Sequence, residues 1–241
     1  MVDNQSRLSL AVVVASGGLD SCVTAALAAR DHRLAMLHVD YGQRTVERER
    51  RAFHDIADAL HAECRLVIPM DHLHRIGGSC LTDTTIAVPV HGIQPGLVPV
   101  TYVPFRNANL FAAAVSWAEV IGAAKVFVGI NQVDSSGYPD CSESFLSAFN
   151  QTIRFGTRPE TRIEVIAPLL KCTKADIVLR GIQCGAPFDK SWSCYQNNEV
   201  ACGRCDSCRL RLAGFAAVGI RDPIPYLERP ETHSLSQQAG T

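Results

Sequence analysis

Apolar residues dominate short runs at residues 8–15, 33–40, 64–69, 125–130 and 163–166. Between and after them lie longer stretches in which apolar positions recur at helical spacing, at 19–30, 45–61, 105–122, 142–155 and 173–184. Over 45–61, for instance, Val46, Phe53, Ile56, Ala57 and Leu60 share one face while charged residues fill the other. A run that is apolar on both sides suits a strand of a parallel sheet, covered by helices on both faces, because neither side meets water. Strand and helix alternating in this way form βαβ units. The pattern therefore predicts an α/β fold, a Rossmann-like doubly wound parallel sheet whose ligands bind outside the carboxyl ends of the strands.

Residues 71–104 break the rhythm. Gly77-Gly78, Pro89, Gly92, Pro95, Gly96, Pro99 and Pro104 punctuate them, and a long aperiodic stretch inside a compact domain is expected to be a lid or binding loop. The polar, aperiodic residues 228–241 are expected to fray.

Length and charge narrow the class. A chain of 241 residues readily buries a core. No apolar stretch reaches the roughly 18 residues of a membrane span, and residues 8–15 are too short for a signal sequence. A cytoplasmic protein without membrane contact is expected. Lys and Arg number 23 against 24 Asp and Glu, a net charge of −1 that favours a small-molecule substrate over a nucleic-acid partner.

Ten cysteines in such a protein point to metal ligands rather than disulfides. Cys194, Cys202, Cys205 and Cys208 follow the spacing C-x7-C-x2-C-x2-C, with Gly203 in the knuckle. Four thiolates at about 2.3 Å from a tetrahedral zinc leave no open position, so the metal would be structural. The expected layout is an α/β domain over 1–190, a zinc-binding segment with its helix (209–219) over 191–222, and a tail over 223–241.

The first strand runs into Ser16-Gly17-Gly18-Leu19-Asp20-Ser21, and a helix starting Cys22-Val23-Thr24-Ala25 follows at once. Backbone N–H groups of a glycine turn, two hydroxyls and a helix N-terminus make a phosphate cradle. It lacks the lysine that a Walker-type loop extends to the β- and γ-phosphates. A different cut of ATP is expected, with the segment from Ala15 to Ala25 around the nucleotide, and the order Ser-Gly-Gly-x-Asp-Ser resembles the pyrophosphate loop of enzymes that adenylate a substrate and release AMP and pyrophosphate.

Further candidates lie at strand ends. Asp40-Tyr41-Gly42-Gln43-Arg44 offers hydrogen-bonding groups for a heterocycle or phosphate, or is a solvated turn whose Glu47 and Arg51 pair on the next helix. Arg106 fits a carboxylate or phosphate, and Asn107 beside it can cap the helix. The loop from Asn131 to Cys141 carries Asp134, Ser136, Tyr138 and Asp140. Asp140 with Glu143 reads either as a ligand contact or as a capping-box-like helix start. Lys174 stands at a helix N-terminus, where a cation is unfavourable without an anionic partner.

These segments resemble the 7-cyano-7-deazaguanine synthase family over residues 10–222. The resemblance rests on Ser16 to Ser21, Asp40 to Arg44, Arg106-Asn107, Ser136-Gly137-Tyr138-Pro139-Asp140-Cys141, Trp192 to Gln196 and Cys202 to Arg211. Leu19 and Cys22 depart from the glutamine and threonine often found there. The resemblance implies an adenine-nucleotide-hydrolase-like fold and a homodimer of the queuosine pathway. It further implies that 7-carboxy-7-deazaguanine, ammonia and ATP react through adenylated carboxylate and amide intermediates to a nitrile. Magnesium, held by Asp20 or Asp134, would neutralise the phosphates. Asp20, Arg106, Asp140 and Lys174 become the catalytic candidates. Tyr41, Gln43, Arg44, Asn107, Asp134, Ser136 and Tyr138 become the substrate contacts. Competing readings are an amide-forming or conjugating relative, a tRNA-modifying adenylating enzyme, and a zinc-stabilised nucleic-acid module using Arg204, Arg209 and Arg211.

Overall fold

The computed structural model describes residues 8–89, 97–133 and 137–229. Strands β1 (Leu10–Val14), β2 (Arg33–Asp40), β3 (Cys64–Pro69), β4 (Lys125–Val128) and β5 (Glu164–Ile166) form one sheet in the order β3-β2-β1-β4-β5. Every pairing is parallel, with Val12 opposite Ala35 on one side and Val126 on the other. The chain winds outward from β1 to β3, then crosses back to β4 on the other side of β1. That reversal opens a crevice beyond the carboxyl ends of β1 and β4.

The two faces of β1 explain its unbroken apolar run. Val12 and Val14 pack with Phe111, Ala114 and Ala118 of α4 (Arg106–Ile121) and Ile153 of α5 (Glu143–Gly156). Val13 and Ala15 pack with Cys22 and Ala25 of α1 (Leu19–Ala28) and Phe53 and Ile56 of α2 (Val46–Ala59). Helices thus cover both faces, as the doubly wound pattern requires.

The stretch expected to be an irregular lid contains structure of its own. Asp71–Ile76 forms a short helix, α3, ending at Gly77. Leu73, Cys80, Leu81 and Val103 bury themselves with Tyr41 in a small separate core. Residues 90–96 of that stretch lie outside the described residues. On the far side, α6 (Lys174–Gln183) packs against α7 (Asp206–Ala217), which starts three residues earlier than the 209–219 helix expected from the sequence. The cysteine segment joins the main body, because Ala52 of α2 packs with Trp192, Cys194, Cys205 and Cys208.

Candidate active site

A cavity of about 280 Å³ fills the crevice between β1 and β4. Ala15, Ser16, Gly18, Leu19, Asp20 and Ser21 line it. Ser16 Oγ lies 3.3 Å from Ser21 Oγ and accepts the Gly18 N–H at 3.2 Å. No side chain caps the first turn of α1, so that turn presents its N–H groups to the cavity for an incoming anion. Gly17 sets the curve of the loop. Its φ of +83° belongs to the left-handed region, and a Cβ there would stand 2.6 Å from the Glu49 carbonyl oxygen. Gly129, after β4, has a similar role, since a Cβ would come within 2.9 Å of Ser21 N. Cys22, Val23 and Ala25 turn inward among α1's packing partners, and Thr24 is fully buried.

The anionic partner that the position of Lys174 demanded is Asp20. Lys174 Nζ donates to both Asp20 carboxylate oxygens at 2.9 Å, tying the first turn of α6 to that of α1. Thr173 and Asp176 close a capping box around the same end.

Arg106 opens α4 at the cavity wall. Its Nη1 donates to the Tyr41 hydroxyl at 3.1 Å, and its buried Nε has no partner among the described residues. Burial opposes the Arg106 charge, but Tyr41, Asp140 and Cys141 outweigh it and raise its pKa. Phe105 before it has a left-handed backbone, φ +56°, in a residue that is not glycine.

Asp140 and Asn107 hold this helix start together. Asp140 Oδ2 accepts the Asn107 backbone N–H at 2.9 Å, and Asn107 Nδ2 donates to the Asp140 carbonyl at 3.1 Å. The capping-box reading is corrected on this point. Asp140 caps α4, whereas Ser142 caps α5 by accepting from Phe145 N. Asp140 is buried behind Asn107, and Asn107, not Asp140, lines the cavity. Burial raises the Asp140 pKa against the hydrogen bonds of Asn107 and the charge of Arg106.

Tyr41, Gln43, Arg44 and Tyr138 also line the cavity. The Tyr138 hydroxyl pairs with Thr101 Oγ1. Arg44 is anchored elsewhere: its Nε donates to the Cys80 carbonyl at 2.7 Å and its Nη2 to those of Asp83 and Ile86 at 2.9 and 2.6 Å. It braces the loop after α3. Glu47 pairs with Arg50 rather than Arg51, which reaches Glu199. Asp134 and Ser136 lie outside the described residues.

Cys194, Cys202, Cys205 and Cys208 are buried, with all four sulfurs within 4.8 Å of one another. Cys202 Sγ and Cys208 Sγ are 3.9 Å apart. A zinc–sulfur distance of about 2.3 Å implies tetrahedral edges of about 3.8 Å. The backbone N–H groups of Gln196, Asn197 and Cys202 point at Cys194 Sγ at 3.4, 3.4 and 3.3 Å, and that of Cys205 at Cys202 Sγ at 3.3 Å, so these sulfurs sit among donors that stabilise thiolates. The donor set therefore fits a closed structural metal site. For magnesium the fit is poorer: both oxygens of Asp20 are held by Lys174, and no second cluster of three metal-ligating groups occurs among the described residues.

The knot is joined to the cradle. Trp192 N donates to the Gly17 carbonyl at 2.8 Å, and Ser193, Tyr195 and Ser207 line the cavity. Arg211, a candidate phosphate contact in the nucleic-acid reading, is instead buried. Its Nε and Nη2 donate to the two Asp222 oxygens at 2.7 and 2.9 Å. Sequence reasoning passed over Glu49 entirely, because it sits in a charged helix pattern; its side chain lines the cavity. Trp192 also went unremarked as a cavity residue.

A parallel strand order that reverses at β1, with a glycine cradle in the resulting crevice, defines a doubly wound α/β protein of the nucleotide-binding kind. Residues 10–219 match the family model of queuosine biosynthesis protein QueC, and the chain belongs to that family. A 7-cyano-7-deazaguanine synthase of Chloroherpeton thalassium is 52% identical over 221 residues, covering 91% of this chain and 98% of the relative. That of Koribacter versatilis is 51% identical over 227 residues, covering 92% and 95%. A solved structure of NMN synthetase from Francisella tularensis superposes with a TM-score of 0.47 at 14% identity, covering 90% of this chain and 79% of that one. Among the described residues no helix is long and apolar enough to cross a membrane.

Proposed function

We propose that this chain converts 7-carboxy-7-deazaguanine and ammonia into 7-cyano-7-deazaguanine, with ATP cleaved to AMP and pyrophosphate, in queuosine biosynthesis. The observation that carries the reading is one cavity that brings the lysine-free glycine cradle together with the guanidinium of Arg106.

A carboxylate resists attack by ammonia, so one of its oxygens first bonds to the α-phosphorus of ATP and pyrophosphate leaves. The loop from Ser16 to Ser21 and the N-terminus of α1 take up the charge of the departing phosphates. Ammonia then adds to the acyl carbon, loses a proton, and expels AMP to give the amide. In the second round the amide oxygen bonds to the α-phosphorus of a second ATP, and a second pyrophosphate leaves. The amide nitrogen loses its remaining protons as the carbon–oxygen bond breaks, and AMP departs from the nitrile. Arg106, whose Nε has no partner among the described residues, holds the substrate carboxylate and then the amide oxygen. Lys174 faces the phosphates beside Asp20 and supplies positive charge there. Tyr41, Gln43 and Tyr138 surround the base, and Asp140 fixes the α4 start from behind. Magnesium would arrive with the ATP phosphates rather than on a carboxylate cluster of the protein, since both Asp20 oxygens are held by Lys174.

We further propose a structural zinc on Cys194, Cys202, Cys205 and Cys208. A cytoplasmic homodimer without a nucleic-acid partner accompanies this reading, supported by the family resemblance and the net charge of −1.

Incubation with the carboxy-deazaguanine, ATP and ammonium, followed by mass spectrometry, tests the proposal. AMP together with the nitrile is expected. ADP would overturn the ATP chemistry, and accumulation of the amide alone would assign the chain to an amide-forming branch.

A further inference from the structure

Glu49 and Asp206 are the acidic groups of the cavity that the proposed chemistry leaves idle, and Asp206 stands in the first turn of α7, where the helix N-terminus already favours its charge. Glu49 Oε1 accepts from Thr45 Oγ1 at 2.8 Å and its Oε2 from Gln43 Nε2 at 3.2 Å. The direction of this network is fixed. The Gln43 amide oxygen accepts the Tyr41 backbone N–H at 2.9 Å, so its nitrogen faces Glu49 and the carboxyl must accept. A carboxylate has about four acceptor positions, and these two donors leave a free lone pair on each oxygen. Both donors are neutral, and burial pushes the Glu49 pKa up to about 7 against their hydrogen bonds. A carboxyl in that position gains from further N–H donors, since they restore what water would supply.

Its neighbours sharpen the match. Asp20 is committed to Lys174 and Asp140 to the α4 start. Arg44, Arg106 and Lys174, which also line the cavity, offer donors only. A ligand with two adjacent N–H groups on one edge finds in the Glu49 carboxylate two oxygens already held side by side by Thr45 and Gln43. A 2-aminopyrimidin-4-one ring carries that edge: the ring N–H and an N–H of the exocyclic amine point the same way, spaced to meet the two oxygens of one carboxylate.

We propose that Glu49 is the specificity-determining residue for the base, accepting the ring N–H and the exocyclic amine N–H of the deazaguanine in parallel. This rests on the functional reading above and names the group that selects its substrate. A 2-deamino counterpart would leave the second acceptor position of one Glu49 oxygen unfilled in a site closed to water, and a site built around such a bond rejects a ligand that lacks it.

The test compares 7-carboxy-7-deazaguanine with 7-carboxy-7-deazahypoxanthine in the wild-type protein and in Glu49→Gln, with KM for ATP measured alongside. The wild type is expected to favour the 2-amino base by about ten- to a hundredfold in kcat/KM. Glu49→Gln is expected to shrink that preference to about threefold or less and to raise KM for the base at least about tenfold, while KM for ATP stays within about twofold. A preference that survives the substitution, or a loss shared equally by KM for ATP, would overturn the assignment. Should Glu49→Gln fail to fold, Glu49→Asp withdraws the carboxylate by one methylene; a reduced preference supports the role and an unchanged one refutes it. Wild-type protein that releases no AMP with either base would instead sink the functional reading itself, an outcome visible without any variant.

Discussion

Asp140 acts on the cavity at one remove. Its carboxylate satisfies the Asn107 N–H in the first turn of α4, beside the strained Phe105 and the cavity-facing Arg106. Asp140→Ala would leave that buried N–H without its partner, and a loss of about 1–2 kcal/mol in denaturant unfolding is expected. Asp140→Asn keeps an acceptor oxygen and should recover most of that loss. Equal stabilities for all three proteins would remove the capping role. Glu49 makes a different demand on its surroundings. Burial raises its pKa from 4.5 to about 7, so the native protein binds more protons than the unfolded chain between those values. Stability from this group is therefore complete below pH 4.5 and is lost as the pH rises through 7. Glu49→Gln cannot titrate. Its stability relative to the wild type should improve by roughly 2–3 kcal/mol between pH 4.5 and pH 8, read from urea unfolding at each. A constant difference across that range would mean that Glu49 stays ionised. Neither role could be read from the sequence. Asn107 and Asp140 lie 33 positions apart, and Glu49 looks there like one more charge on the solvated face of a helix.

At the scale of elements the sequence was most informative where burial was most complete. β1 showed itself as an apolar run because α1 and α2 cover one face and α4 and α5 the other. The cradle was legible for a related reason: a glycine pair between a buried strand and a helix has few other uses. What the sequence withheld is set by contacts between distant segments. The helix α3 is six residues long, too short to impose a period, and it stands because Leu73 is buried with Tyr41 and Val103. Arg44 appeared as a ligand contact, but its hydrogen bonds to three carbonyls of the following loop depend on a fold that brings residues 80–86 back over it. Gly17 joins the two classes, since its presence was legible but its reason was not. The α2 backbone presses against it, so Gly17→Ala must move a helix as well as adopt a left-handed backbone. That substitution should cost at least about 1–3 kcal/mol of stability and weaken ATP binding more than binding of the base. Isothermal titration with a non-hydrolysable ATP analogue separates the two losses, and an unchanged ATP affinity would detach the loop from the nucleotide.

Taken whole, the molecule is a parallel sheet whose crevice is closed on one side by the cysteine segment. Four links make that closure. Trp192 N donates to the Gly17 carbonyl, Thr45 Oγ1 reaches the Cys194 carbonyl at 3.4 Å, Arg48 stacks over Trp192 at 4.4 Å, and Arg211 Nη2 donates to the Phe188 carbonyl at 3.1 Å. The knot therefore shapes the cavity wall as well as its own segment. Structural zinc can contribute about 10–16 kcal/mol of apparent binding free energy, far more than any single link here. Removing it by chelation, or substituting Cys205→Ser, should release residues 191–229 first, seen as a loss of amide-exchange protection there. The Trp192 contact then predicts a second effect, a rise of about tenfold or more in KM for ATP as the Gly17 loop loses its brace. The centre of the sheet does not depend on the knot, because β1 is buried by α1, α2, α4 and α5, and its amides should stay protected throughout. Exchange protection lost equally across β1 and the cysteine segment would show that the knot and the sheet unfold as one unit. Unaltered exchange and KM after chelation, with no zinc in the purified protein, would leave the four sulfurs as a cluster of free thiols.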